Sequence, residues 1–399
     1  MKVVICGAGI AGLALAQHLH GFGAEVVVLE KAPAPRTQGY MIDFFGPGYD
    51  AAEVLGVLPR IRELGHRVEE LTYRDRTGRP RARMSFAQFA KIVDGRLISI
   101  MRPDLERALR EHLSPGVDLR YATSLTRIDS RPDGVTITLT DGDAVDADLL
   151  VGADGVHSAV RGLVFGPERE FLRYLGYHTA AYSFEDADVH AEVAGRFCLT
   201  DTANREMGFY GLPGDRVAVF TVHRSPDPAL PADPRAALRS EYATLGWMVP
   251  RALAACPPPE QVYYDQVAQI DMPAWSRGRV VLIGDAAYAV SLLAGQGASL
   301  GMTGAYVLAE QLSQTGDIDT ALGHYERTLR PVVTEKQQAA RNAARWFVPA
   351  SAWQLGVRRA ALKLARLPLL DRYMAAALVG KSTASNTRAD HAQRARIHP

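Results

Sequence analysis

The run Gly7–Ala8–Gly9–Ile10–Ala11–Gly12, directly behind the apolar stretch Val3–Val4–Ile5, constrains this chain more than any other segment. Glycines at this spacing let a strand turn into a helix while the backbone stays close enough to touch a phosphate, and the N–H groups of the helix N-terminus face the charge. Ile10 to Phe22 continues with helical spacing and Glu25 to Leu29 is a second apolar strand, so the chain opens as β-α-β. That unit requires a parallel sheet. Glu30 closes the second strand at about the twenty-residue offset where a carboxylate accepts hydrogen bonds from both ribose hydroxyls of a dinucleotide. These residues point to dinucleotide binding and leave FAD and NAD both open.

Further along, Arg102 to Leu113 reads as a helix, and Asp118 to Leu149 reads as hairpin strands broken at Pro132–Asp133–Gly134 and Asp141–Gly142. The helical pattern thins between Phe171 and Trp275, where Val217 to His223 reads as a strand. A strand returns at Val280 to Ile283, followed by a glycine-rich loop and a helix from about Ser299 to Leu312. The expected fold class is therefore α/β. It comprises a Rossmann-like nucleotide-binding domain with a parallel sheet, a largely antiparallel substrate domain and a C-terminal helical element. The expected division is 1–170 with 276–342 for the discontinuous first domain, 171–275 for the second, and 343–399 for the helical segment and a polar, frayed tail after Lys381. Residues 68–98 are candidates to join the second sheet.

At 399 residues the chain has room to enclose a cofactor and a substrate between two domains. With a net charge of +1, bulk charge gives no reason to expect nucleic acid as a partner, and a small molecule is the better expectation. The three cysteines, Cys6, Cys198 and Cys256, lie far apart without zinc or disulfide spacing, so no metal is expected and a reducing cytoplasm suits them. Met1 to Ile5 runs straight into a strand without the features of a secretory leader. Ala286 to Ala309 is uncharged and long enough to span a bilayer, but its four glycines and its polar residues fit a buried loop and helix better. Ala343 to Ala377 mixes aromatic and basic residues in the manner of a membrane-surface helix, yet Pro349 and Pro368 interrupt it, and packing across the two domains is the preferred expectation.

Two more segments narrow the cofactor. Asp154–Gly155–Val156–His157–Ser158–Ala159–Val160–Arg161 and Gly284–Asp285–Ala286–Ala287, each behind a strand, resemble the DG and GD fingerprints of flavoprotein aromatic hydroxylases. By these motifs the chain resembles class A FAD-dependent monooxygenases of the p-hydroxybenzoate hydroxylase fold, and most of all the branch of tetracycline-inactivating and polyketide-tailoring enzymes. The resemblance implies FAD as cofactor and NADPH or NADH as a transient reductant. No second GxGxxG follows a strand, which suits a reductant bound without its own domain.

The resemblance also implies site residues. FAD contacts fall on Gly7, Gly9, Ala11 and Gly12 of the glycine loop, on Glu30 and its neighbour Lys31, and on Arg36, Arg102, Leu125, Asp154 and Asp285. Gly295, Gly297 and Ala298 lead into a helix whose N-terminal N–H groups would face the flavin pyrimidine edge. Many relatives have a proline pair where Ser291 and Leu292 stand and an Asn where Ser299 stands. Val219 and Thr221, on one face of their strand, and Phe209 resemble substrate-wall positions of the tetracycline-active relatives, with ordinary sheet core as the competing reading. No side chain is singled out as catalytic. The implied reaction is hydroxylation of an aromatic or polycyclic phenol by O2 through a flavin C4a-hydroperoxide. A FAD-dependent dehydrogenase or oxidase, or a redox-silent FAD carrier, would keep the same nucleotide motifs. The sequence sets neither the substrate nor the oligomeric state.

Overall fold

The computed structural model describes residues 1–364, so the expected polar tail lies outside the described residues. The glycine loop joins β1 (Lys2–Cys6) to the helix Ile10–Gly21, which returns to β2 (Glu25–Leu29). With β7 (Asp118–Arg120), β11 (Leu149–Gly152), β17 (Ser276–Arg277) and β18 (Val280–Leu282) they form a six-stranded sheet in the order β17-β18-β11-β1-β2-β7. All neighbours run parallel except β17 with β18. Val3 to Ile5, Leu149 to Val151 and Val280 to Leu282 are fully buried, which explains their unbroken apolar sequence. The strand expected within the Asp118–Leu149 meander divides differently. β7 joins the parallel sheet beside β2, because the helix Arg102–Glu111 carries the chain back to that edge, and only β8 (Leu125–Arg131), β9 (Gly134–Leu139) and β10 (Ala144–Ala147) form the antiparallel meander.

A seven-stranded, mostly antiparallel sheet takes β4 (Glu70–Arg74), β5 (Pro80–Ser85), β12 (Leu172–Glu185), β13 (Arg196–Thr202), β14 (Arg205–Leu212), β15 (Arg216–Arg224) and β16 (Tyr263–Ile270). Its order is β16-β12-β15-β14-β13-β4-β5, with β4 and β13 parallel. One face is covered by the helices Ala187–Val193, Pro234–Tyr242 and Val249–Ala254, which are too short to show a clear helical period in the sequence. The other face meets the two-stranded ribbon of β3 (Met41–Phe45) and β6 (Leu97–Met101), where Met41 and Met101 pack on Tyr210, Leu212 and Ala218. The helix Gly297–Gln314 lies along the glycine-loop helix so closely that a Cβ on Gly301 would stand 3.4 Å from that of Ala11. The long helix Ile318–Phe347 and then Ala352–Leu364 complete the described chain. Among the described residues no helix is long and apolar enough to cross a membrane.

Candidate active site

The loop from β1 into its helix is shaped by close backbone packing. Gly7 has φ +111°, and a Cβ there would meet the Ala153 carbonyl oxygen at 2.4 Å; one on Gly12 would meet the Gly7 oxygen at 2.0 Å. Gly9 caps the helix without any side-chain hydrogen bond, which leaves the first-turn N–H groups for a ligand. The Glu30 carboxylate accepts from the backbone N–H of Ala8 and of Ala32, both at 2.9 Å, and so ties the glycine loop to the end of β2.

Two clefts open on this loop. The first is lined by Gly7, Gly9, Glu30, Lys31, Arg36, Arg102, Asp154, Tyr121 and Ser124 among others, and the second by Ala11, Tyr40, Tyr263, Asp265, Asp285, Gly295, Gly297 and Ala298 among others. They enclose about 840 and 990 Å³, including solvent at their mouths. Gly9, Arg102, Ala153 and Gly155 line both, so the clefts form one path with Arg102 at the junction. Arg102 is 3.0 Å from Glu106, whose charge raises the guanidinium pKa further and keeps the cation in place. Arg36 reaches toward Glu30 at 4.0 Å.

At the second cleft, the helix Gly297–Gln314 also starts without a side-chain cap, behind Gly295 at φ +63°. Asp285 faces the cleft with protein on its other sides. This desolvation raises its carboxyl pKa, and nearby Arg102 partly offsets the effect. Ser299 serves the scaffold: its hydroxyl donates to the Phe45 carbonyl at 2.8 Å and accepts from Gly48 N–H at 2.9 Å. Ser291 holds φ +91° and lines the cleft.

The two fingerprints prove to be stapled together by a residue not singled out for this role in the sequence. Fully buried Arg161 donates to the carbonyls of Ala286 at 2.9 Å and Val156 at 2.5 Å, and pairs with Glu168 at 3.1 Å. Asp154 borders the first cleft, but its carboxylate accepts from the Ser158 hydroxyl and from Ala159 and Val160 N–H at 2.7 and 3.1 Å, capping the helix Ala159–Val164. Leu125 is buried in the core, and its neighbour Ser124 lines the first cleft instead.

The residues expected to wall the substrate pack as sheet core, the competing reading. Phe209 and Val219 are buried in the core beneath the covering helices, and fully buried Thr221 exchanges hydrogen bonds with the Ala180 backbone. Side chains alternate along a strand, so the neighbours Ala218, Phe220 and Val222 point to the opposite side. There Phe220 lies 6.1 Å from the Tyr40 ring and 6.5 Å from that of Phe347. Residues missed in the sequence are thus Tyr40, Tyr263 and Asp265, which line the second cleft, and Phe220 beside Tyr40. None belongs to a local motif.

A bipartite path with two uncapped helix N-termini, a junction cation and a backbone-lined glycine turn fits an extended dinucleotide carrying a flavin. The fold and this path define a flavoprotein oxidoreductase. The chain belongs to the FAD-binding domain family, whose model matches residues 1–340. It is 30% identical over 344 residues to a flavin-dependent monooxygenase from an unidentified prokaryote, covering 85% of this chain and 87% of that one. Tetracycline destructase Tet(55) superposes with a TM-score of 0.78 at 26% identity, over 91% of this chain and 94% of its own. Klebsiella pneumoniae HpxO, solved with FAD and uric acid, gives 0.78 at 26%, over 95% and 97%. The protein is a class A flavin-dependent monooxygenase with FAD as its cofactor.

Proposed function

We propose that this enzyme uses NADPH or NADH and O2 to hydroxylate an aromatic or polycyclic phenolic small molecule. The observation that carries the reading is the row Phe347, Phe220, Tyr40 and Tyr263, which runs from the inner face of the antiparallel sheet to the second cleft with ring centroids 5.6–6.5 Å apart. Aromatic faces at these spacings favour an electron-rich ring by offset or edge contacts. Bound FAD supplies hydride acceptance and oxygen activation. In this reading Glu30 accepts from the ribose, Arg102 and the first-turn N–H groups of Ile10–Gly21 hold the pyrophosphate, and Asp285 accepts from the ribityl chain. The N–H groups at Gly297 and Ala298 would favour negative charge on the flavin ring system, while Gly7 and Gly12 would allow the close approach. Lys31 and Arg36 line the adenosine end. The Phe220 and Phe347 end of the row would exclude water and orient the substrate ring so that oxygen passes to it rather than being released as peroxide. Three buried free thiols fit the reducing cytoplasm as its place.

The test is anaerobic stopped-flow reduction by NADPH and by NADH, with and without a panel of phenols. Faster flavin reduction in the presence of one phenol class is expected. Reduction at the same rate with every aromatic, together with substrate-stimulated turnover of a non-aromatic amine or alcohol, would move the reading to another substrate class.

A further inference from the structure

We infer that Tyr40 and Tyr263 form an aromatic clasp that positions the isoalloxazine end of FAD in the second cleft. The two residues come from different parts of the chain. Tyr40 immediately precedes β3, Tyr263 opens β16, and both line the cleft entered by the uncapped start of Gly297–Gln314. Their ring centroids are 5.6 Å apart with the planes tilted by 49°, so they form an angled wall rather than a closed stack. Each is held in place by its surroundings. The Tyr40 carbonyl accepts from Arg102 N–H at 2.9 Å, nearby Gln38 donates to the Glu260 carbonyl at 3.1 Å, and the Tyr40 ring rests near Phe220. The Tyr263 hydroxyl donates to Asp265 at 3.4 Å, and Asp265 is in turn gripped by His157 at 3.2 Å.

Burial raises the pKa of both phenols, so they remain neutral donors. A neutral donor facing a protein-walled cleft is stable when a ligand supplies an acceptor, a role open to the Tyr40 hydroxyl, while Tyr263, whose O–H donates to Asp265, offers its ring; the carbonyls and ring nitrogens of isoalloxazine are acceptors on a flat aromatic body. Beside the clasp stands Arg102, the cation at the junction of the two clefts, so a dinucleotide whose pyrophosphate meets Arg102 brings its ring system to these tyrosines.

A phenol in contact with isoalloxazine quenches its fluorescence, because the excited flavin takes one electron from the phenol and returns it without emitting. Phenylalanine is too hard to oxidise to do so, whereas tryptophan does it readily. The experiment therefore records the fluorescence lifetime of protein-bound FAD in the parent, in Tyr40→Phe, Tyr263→Phe and their double variant, and in Tyr40→Trp. FAD retention after gel filtration and a titrated FAD Kd are measured on each. The double Phe variant should hold FAD with at most a severalfold weaker Kd and show a severalfold longer lifetime, while Tyr40→Trp remains quenched. A double variant that retains FAD with the parent lifetime would overturn the clasp. So would a Phe series in which brightness tracks free FAD alone. No substrate is used, so a failure here leaves the proposed hydroxylation standing, and the reverse holds as well.

Discussion

In the glycine loop a bound cofactor would meet backbone atoms, whereas on the inner face of β15 a substrate would meet side chains. The first region has almost no freedom: a Cβ on Gly7 or Gly12 would stand 2.4 or 2.0 Å from a backbone oxygen, so the residue type is dictated by geometry. The second is free in residue type but rigid in parity, since moving one position along β15 exchanges the covered core for the cleft side. A backbone site should therefore fail as a unit, and a side-chain wall should change by degrees.

The largest effect should come from Gly12→Ala. The added carbon lies 2.0 Å from the Gly7 oxygen, and neither neighbour is the end of a flexible side chain. A loss of about 3 kcal/mol in stability, the upper range for overpacking, is expected with loss of bound FAD, read by thermal melting and visible absorbance. A variant that melts and binds FAD like the parent would break the backbone half of the comparison.

Next come Asp285→Ala and Glu30→Ala, each costing about 1.5–3 kcal/mol in FAD binding, the scale of a hydrogen bond to a charged group. The two should part in the apoprotein. Glu30 already holds the N–H groups of Ala8 and Ala32, so its removal also lowers the melting temperature without FAD, whereas Asp285→Ala, at a side chain that faces the open cleft, leaves that temperature unchanged. Equal apoprotein melting losses would show that Asp285 is a scaffold residue.

A pair of neighbours on β15 sharpens the comparison further. Val219→Ala should cost about 2 kcal/mol of stability, as a large-to-small change in a filled core does, with the substrate KM unchanged. Phe220→Ala should raise KM and the fraction of reducing equivalents lost as peroxide. If the two variants exchange these behaviours, the face assignment is wrong.

The smallest effect concerns His157, which bridges Glu168 at 3.1 Å and Asp265 at 3.2 Å. The hydrogen bond to Asp265, more than any other cause, raises its pKa to about 9 from the usual 6.5. A raised folded-state pKa gives stability that is complete below about pH 6.5 and lost as pH rises through about 9. The side chain is 44% exposed, so solvent screening keeps the contribution under about 1 kcal/mol. His157→Gln should melt slightly lower than the parent at pH 6 and match it above pH 9, and a deficit that persists at pH 10 would point to packing instead.

How much of this was legible in the sequence follows the same division. The α/β class, the β-α-β opening and the pairing of Glu30 with the glycine loop were readable, because close backbone approach leaves local patterns that spacing reveals, whereas Arg102 and Asp285 were indicated only by resemblance to a family. The cleft side of β15 was not, since Val217 to Val219 and Thr221 to His223 are all buried and alternation then marks no face. The Arg161 staple across 125 positions and the His157 bridge across 108 depend on pairings that no local spacing encodes. Asp154 shows the remaining gap: its motif was recognisable, while the helix cap that engages its carboxylate became visible only in three dimensions.

The central claim is tested most directly by supplying isotopically labelled O2 with NADPH and the phenol that most accelerates flavin reduction, and weighing the product. One labelled oxygen atom on the aromatic ring of each product molecule is expected. A turned-over product with no label, with all the oxygen recovered as peroxide, would contradict it and mark the protein as an oxidase.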